Sequence, residues 1–276
     1  MRLPGGPRRR AGLVVLVTGA SSGIGAAVAR QAAGDHHHLV LVSRGKQKLG
    51  EVATECLAAG AASATVHALD VGDDEAVRLG IDEVVAEHGR LDVVVHCAGV
   101  VTYGRSEETS AEDFASVVST NLLGSANVAR HVVPVLRRQE RGDLVLVGSL
   151  LGHLAVPDMT PYVVSKWGVR ALARQLRIEN LDVPGVRISH VAPGSVDTPI
   201  YDNAIDSAGM VNTPPPPTIS PERAARAVLA QVGGGRLESQ TAWLNYAMIG
   251  AFNLAPRVWD RAIGPVFQAV SRTRAR

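Results

Sequence analysis

A chain of 276 residues and 28.9 kDa has the length of one large domain, and a sheet-centred α/β domain suits that length best. Hydrophobic residues make up 46% and charged residues 20%, which supplies a core and excludes disorder for most of the chain. Lys and Arg number 28 against 26 Asp and Glu, and Arg2, Arg8, Arg9 and Arg10 stand at the start, so the body is near neutral and lacks the basic face that nucleic acid would require.

Residues 1–11 read as a basic disordered tail. The apolar run at 13–17 that follows is too short for a signal-peptide core, and the apolar stretch at 243–255 is too short to cross a bilayer. Cys56 and Cys97 make neither a disulfide framework nor a zinc set, so the expected setting is a reducing cytoplasm. His36, His37 and His38 lead into a strand whose alternate side chains face opposite ways, so they read as a solvated strand entry and no metal is expected.

In chain order, short apolar runs fall at 13–17, 39–42, 65–69, 91–95, 144–147 and 186–191. Helical spacing fills 24–33, 47–59, 74–88, 111–130 and 162–180. Strands apolar on both faces and separated by helices predict a doubly wound (Rossmann) parallel sheet with helices on both faces, a single domain over 12–235. Residues 200–218, with Pro214 to Pro217, read as a lid. Ser220-Pro221 caps a further helix that stops at Gly233-Gly234-Gly235. Residues 236–276 read as an apolar extension.

The first strand runs into Gly19, Ser21, Ser22, Gly23, Ile24 and Gly25 and then a helix. Glycines in that context let a pyrophosphate approach the backbone at the free N–H groups of a helix start. The second strand ends at Ser43-Arg44, where an acidic residue would accept from ribose hydroxyls. A serine followed by arginine suits a 2′-phosphate instead, so NADP(H) is expected over NAD(H). Tyr162 and Lys166 stand one helical turn apart, downstream of the strand-end Ser149, and a cation beside a phenol lowers its pKa.

With these residues in place the sequence resembles the short-chain dehydrogenase/reductase family, in its short single-domain branch, over about residues 12–200. The resemblance rests on TGASSGIG at 18–25, Asp70-Val71, His96-Cys97-Ala98-Gly99, Asn121, Ser149, Tyr162-x-x-x-Lys166 and Pro193-Gly194. It implies a catalytic set of Asn121, Ser149, Tyr162 and Lys166. It also implies a cofactor cradle that takes in Asp70, Val71, Ala98, Gly99, Pro193, Gly194, Val196 and Thr198. Tyr162 would move the proton, Ser149 orient the reacting oxygen, Lys166 lower the Tyr162 pKa and hold the nicotinamide ribose, and Asn121 hold a water leading to solvent. His96-Cys97 departs from the family's usual Asn-Asn, so Cys97 is expected to forfeit a bracing hydrogen bond and to be an inert small hydrophobe.

The activity implied is hydride transfer between NADP(H) and a lipophilic carbonyl or secondary alcohol. Two other readings stand beside it. A non-catalytic NADP(H)-binding regulator would be expected to lose Tyr162, Lys166 or Ser149. A sugar-nucleotide epimerase would be longer and space its glycines differently. His153 reads as a solvated loop residue rather than a substrate contact. A homodimer or homotetramer is implied. The aromatic region 243–270 is expected to cover the substrate pocket and add to a subunit contact, with peripheral membrane contact as the other reading.

Overall fold

The computed structural model describes residues 12–206, 210–234 and 236–274; the basic tail, part of the expected lid and Gly235 lie outside them. Seven parallel strands form one sheet: β1 (Val14–Thr18), β2 (His38–Ser43), β3 (Ser63–Ala68), β4 (Val93–His96), β5 (Gly142–Val147), β6 (Val186–Ala192) and β7 (Glu238–Gln240). Their order across the sheet is β7-β6-β5-β4-β1-β2-β3, so the winding direction reverses between β1 and β4. That reversal opens a crevice beyond the carboxyl ends of both strands, and it is where a ligand site belongs in this architecture.

Alternation along each strand divides the core in two. Val15 and Val17 face one layer with Leu39, Leu41, Val93 and Val95. There α1 (Gly23–Ala33), α2 (Lys46–Ala58) and α7 (Pro221–Leu229) cover the sheet. Val14 and Leu16 face the other layer with Val40, Val94, Leu144 and Leu146, under α3 (Asp74–His88), α5 (Gly124–Arg138) and α6 (Thr160–Glu179). Capping follows the sequence: Asp73 accepts from the Ala76 N–H at the start of α3, and Ser220 accepts from the Arg223 N–H at the start of α7.

Four expectations change. The helix expected at 111–130 is α4 (Ala111–Val118), a wider π turn at Ser119–Leu123, and then α5, so Asn121 sits on a break in the helix. The sheet does not end before residue 236, because Glu238, Ser239 and Gln240 pair in register with His190, Val191 and Ala192. The lid is partly ordered as ladder: Ile205–Asp206 pairs with Thr102–Tyr103, and Met210–Asn212 with Arg272–Arg274. The histidine run is not a solvated entry, since only His36 is exposed, His37 is buried and His38 Nδ1 meets Ser63 Oγ at 2.9 Å.

After β7 come α8 (Trp243–Leu254) and α9 (Pro256–Ser271). They join the body through Trp259, whose indole N–H donates to the Ala155 carbonyl, and through Phe252, which meets Trp167 and Trp259 edge to face. Trp243, Tyr246, Leu254 and Val258 remain exposed. Among the described residues no helix is long and apolar enough to cross a membrane.

Candidate active site

Beyond β1 the chain turns through Gly19 and Gly23, whose φ values of 65° and 53° suit glycine. A Cβ on Gly19 would stand 2.8 Å from the Ala98 backbone nitrogen, and one on Gly25 would stand 2.3 Å from the Gly19 carbonyl oxygen. Neither position tolerates a side chain. Ser22 caps α1 with backbone alone, which leaves its hydroxyl and the first N–H groups facing the crevice.

The crevice is a single cleft of about 420 Å³, within the ~300–1,000 Å³ typical of small-ligand pockets. It is lined by Gly19, Ser21, Ser22, Gly23, Ile24, Gly25, Ser43, Arg44, Asp70, Val71, Ala98, Gly99 and Thr198. Pro193, Gly194 and Val196 stand outside that lining. Gly194 donates to Thr241 Oγ1, and Val196 bridges to Ile219. Lys48, Thr120 and Asn203 also line the cleft, and only the folded chain brings them there. The cleft fits a nicotinamide dinucleotide: the glycine turn leaves room for backbone approach, the Ser43 hydroxyl is buried without a partner, and Arg44 is exposed with no ion pair among the described residues.

The four residues implied as catalytic come from separate elements. Ser149 follows β5 and accepts from the Leu151 N–H at 3.1 Å. Lys166 on α6 is buried, donates to the Val147 carbonyl at 3.3 Å and lies 5.7 Å above the Tyr162 ring. Asn121 is wholly buried; its amide takes the Val100 N–H at 2.8 Å and donates to the Val100 carbonyl and Ser165 Oγ, each at 2.9 Å. Two of them converge at Gly99: a Cβ there would lie 3.1 Å from Asn121 Oδ1 and 3.5 Å from Lys166 Nζ.

The electrostatics differ from expectation. Burial pushes the Tyr162 phenol up to about 12, against a lowering pull from the Ser149 hydroxyl. Lys166 is not among the groups that shift it, and burial takes the Lys166 ammonium itself down to about 8. The ammonium also points to the Val147 carbonyl rather than to the phenol oxygen. Burial pushes the Cys97 thiol up to about 12, away from the reactive thiolate. Its N–H donates to Thr18, whose hydroxyl contacts His96 Nδ1. His153 is not solvated. It is buried, and its Nε2 meets the Glu238 carboxylate at 2.6 Å.

Beside Tyr162 an apolar cluster gathers Val101, Tyr103, Met159 and Phe267, with Leu151, Val156, Ile200 and Tyr201 packed on it. The turn after Ser149, the start of the 200–218 segment and α9 therefore meet beside Tyr162.

The short chain dehydrogenase model matches residues 13–208, and the chain belongs to that family, the short-chain dehydrogenases/reductases. The chain is 32% identical over 196 residues to human dehydrogenase/reductase SDR family member 7, a match covering 70% of this chain and 58% of that relative. Among solved structures it is similar to an alcohol dehydrogenase from Thermococcus sibiricus complexed with 5-hydroxy-NADP, at 32% identity and a TM-score of 0.71, over 82% of this chain and 94% of that one. A family member from Burkholderia phymatum in complex with NAD shares the fold at 24% identity and a TM-score of 0.80, over 90% and 95% of the two chains. The protein is thus an oxidoreductase of this family, acting on alcohol or carbonyl groups with a nicotinamide cofactor.

Proposed function

We propose that the protein interconverts lipophilic carbonyls and secondary alcohols with NADP(H), Tyr162 serving as general acid and base. The observation that carries this reading is the position of Tyr162. It borders the apolar cluster of Tyr103, Met159 and Phe267 on one side and has Ser149 and Lys166 on the other. The cofactor, when bound, supplies or takes the hydride. Tyr162 gives its phenolic proton to the substrate oxygen in reduction and recovers one in oxidation, while Ser149 orients that oxygen. Lys166 and Asn121, brought together at Gly99, hold the nicotinamide end of the cleft. Arg44 and the Ser43 hydroxyl would hold a 2′-phosphate, because no carboxylate stands at the end of β2 to repel it. A panel of apolar ketones and secondary alcohols, followed by the absorbance of the reduced nicotinamide with NADPH and NADH in parallel, tests the proposal. Turnover of apolar carbonyls that prefers NADPH is the expected result; activity confined to charged substrates or to NADH overturns it.

A further inference from the structure

We propose that His153, His190 and Glu238 form a binding site for one divalent transition-metal ion, with zinc the best match, which ties the turn after Ser149 to the edge of the sheet. His190 on β6 and Glu238 on β7 are register partners across the last strand pair, and His153 closes the turn at Leu150–Gly152. One ligand atom from each lies within 4.8 Å of the others.

His190 is the unusual member. It is 1% exposed, yet neither ring nitrogen has a hydrogen-bond partner among the described residues. A buried polar group left unpaired is costly, so a buried imidazole without a partner calls for an explanation. The fold makes room for it: a Cβ on Gly148 would stand 2.0 Å from Nε2. On the other side His190 Nδ1 faces Glu238 Oε1 at 4.0 Å, and His153 Nε2 meets the same oxygen at 2.6 Å. Tetrahedral zinc with ligands at about 2.0–2.2 Å sets its ligand atoms roughly 3.3 Å apart, so the two observed separations bracket the required one. Two histidines and a glutamate with an open fourth position are a familiar zinc set.

Two neighbours oppose an ion. Arg170 Nε donates to Glu238 Oε1 at 3.1 Å, and Gln240 Nε2 lies 3.1 Å from His153 Nε2. On loading, Arg170 passes to the second carboxylate oxygen and Gln240 turns aside. A groove lined by Trp167, Arg174 and Leu237 reaches His190 and Glu238 and provides the entry path.

The test uses the full chain, stripped with a chelator and desalted, then titrated with zinc alone by calorimetry and with cobalt(II) by visible absorption. One equivalent per chain is expected, with the intense cobalt bands of a tetrahedral site. His190→Ala and Glu238→Gln should each weaken binding by about 100-fold or more, beyond the ~10–100-fold that an outer partner contributes. Arg170→Gln should tighten it, and His36→Gln should leave it unchanged. Should His190→Ala fail to fold, Glu238→Gln on the edge strand decides alone. No stoichiometric binding, binding indifferent to Glu238→Gln, or binding weakened by Arg170→Gln overturns the proposal and leaves a metal-free ion-paired cluster.

Discussion

Thr18 Oγ1 stands 2.8 Å from His96 Nδ1, and the same oxygen accepts the N–H groups of Cys97 and Ala98, each at 3.2 Å. Two accepted bonds leave the hydroxyl proton for Nδ1, which puts the imidazole proton on Nε2. One threonine thus holds the β4 exit where the family's usual asparagines are missing. Thr18→Val keeps the shape and removes all three bonds. It is expected to lower unfolding stability by about 1–3 kcal/mol in urea titration, because the Ala98 N–H and the buried His96 ring lose their partner, while the Cys97 N–H keeps the Thr18 carbonyl.

Tyr162→Phe should reduce kcat by about 10²–10⁴-fold and leave the cofactor Kd nearly unchanged, as the ring still packs on the cluster of Met159 and Phe267. Fluorescence titration with NADPH and steady-state rates separate the two effects. Residual turnover above a tenth of wild type would remove Tyr162 from the acid–base role.

Lys166 sets activity against stability. Its folded pKa of about 8 lies below the unfolded value near 10.4, so the unfolded chain binds more protons between those values and stability rises with pH across that window. Below about pH 8 the buried ammonium carries its full cost. Lys166→Met should therefore stabilise the cofactor-free protein at pH 7, by on the order of 1–3 kcal/mol after the loss of the bond to Val147, while abolishing turnover. Chemical denaturation at pH 7 and pH 10 measures it. The gain should shrink at the higher pH; a gain independent of pH would mean that packing rather than charge is responsible.

The sheet and glycine turn were legible because their signals are local: continuous apolar runs, a strand-to-helix glycine cluster and good caps at Asp73 and Ser220. Four features were not. The strand Glu238–Gln240 is polar and three residues long, and only pairing with β6 makes it a strand. The burial of His153 comes from a carboxylate 85 positions away, beyond any pattern in its own loop. The high Tyr162 pKa reverses an expectation drawn from the Lys166 spacing alone, because spacing reveals a neighbouring charge but not the burial that outweighs it. Lys48, Thr120 and Asn203 entered the cleft with no motif to mark them.

Cofactor choice turns on the end of β2. Arg44→Ala should weaken NADPH more than NADH, by about 1.5–3 kcal/mol if its charged hydrogen bonds form. Ser43→Asp should move preference toward NADH, since a carboxylate there repels the phosphate and accepts from ribose hydroxyls. Calorimetric Kd values for both cofactors check this. Equal weakening of the two by Arg44→Ala would show that the guanidinium does not read the phosphate.

Phe267 makes the last prediction, because it is where α9 reaches the site. It is 6% exposed and packs with Val101, Tyr103 and Met159, the cluster that also holds Tyr162, although Val258 and Val266 on the same helix are exposed. Truncation before Glu238 would remove β7 and damage the sheet, so the sharper change is a point substitution. Phe267→Ala opens a void beside the apolar wall, and a bulky substrate loses the surface it would press against. Turnover of large apolar substrates should fall through a raised KM, small ones should be little affected, and NADPH affinity should be unchanged because Phe267 lies outside the cofactor cleft. Val266→Ala on the exposed side is the matched control. If both variants lose activity alike, α9 acts through the stability of the whole domain rather than as a wall of the substrate pocket.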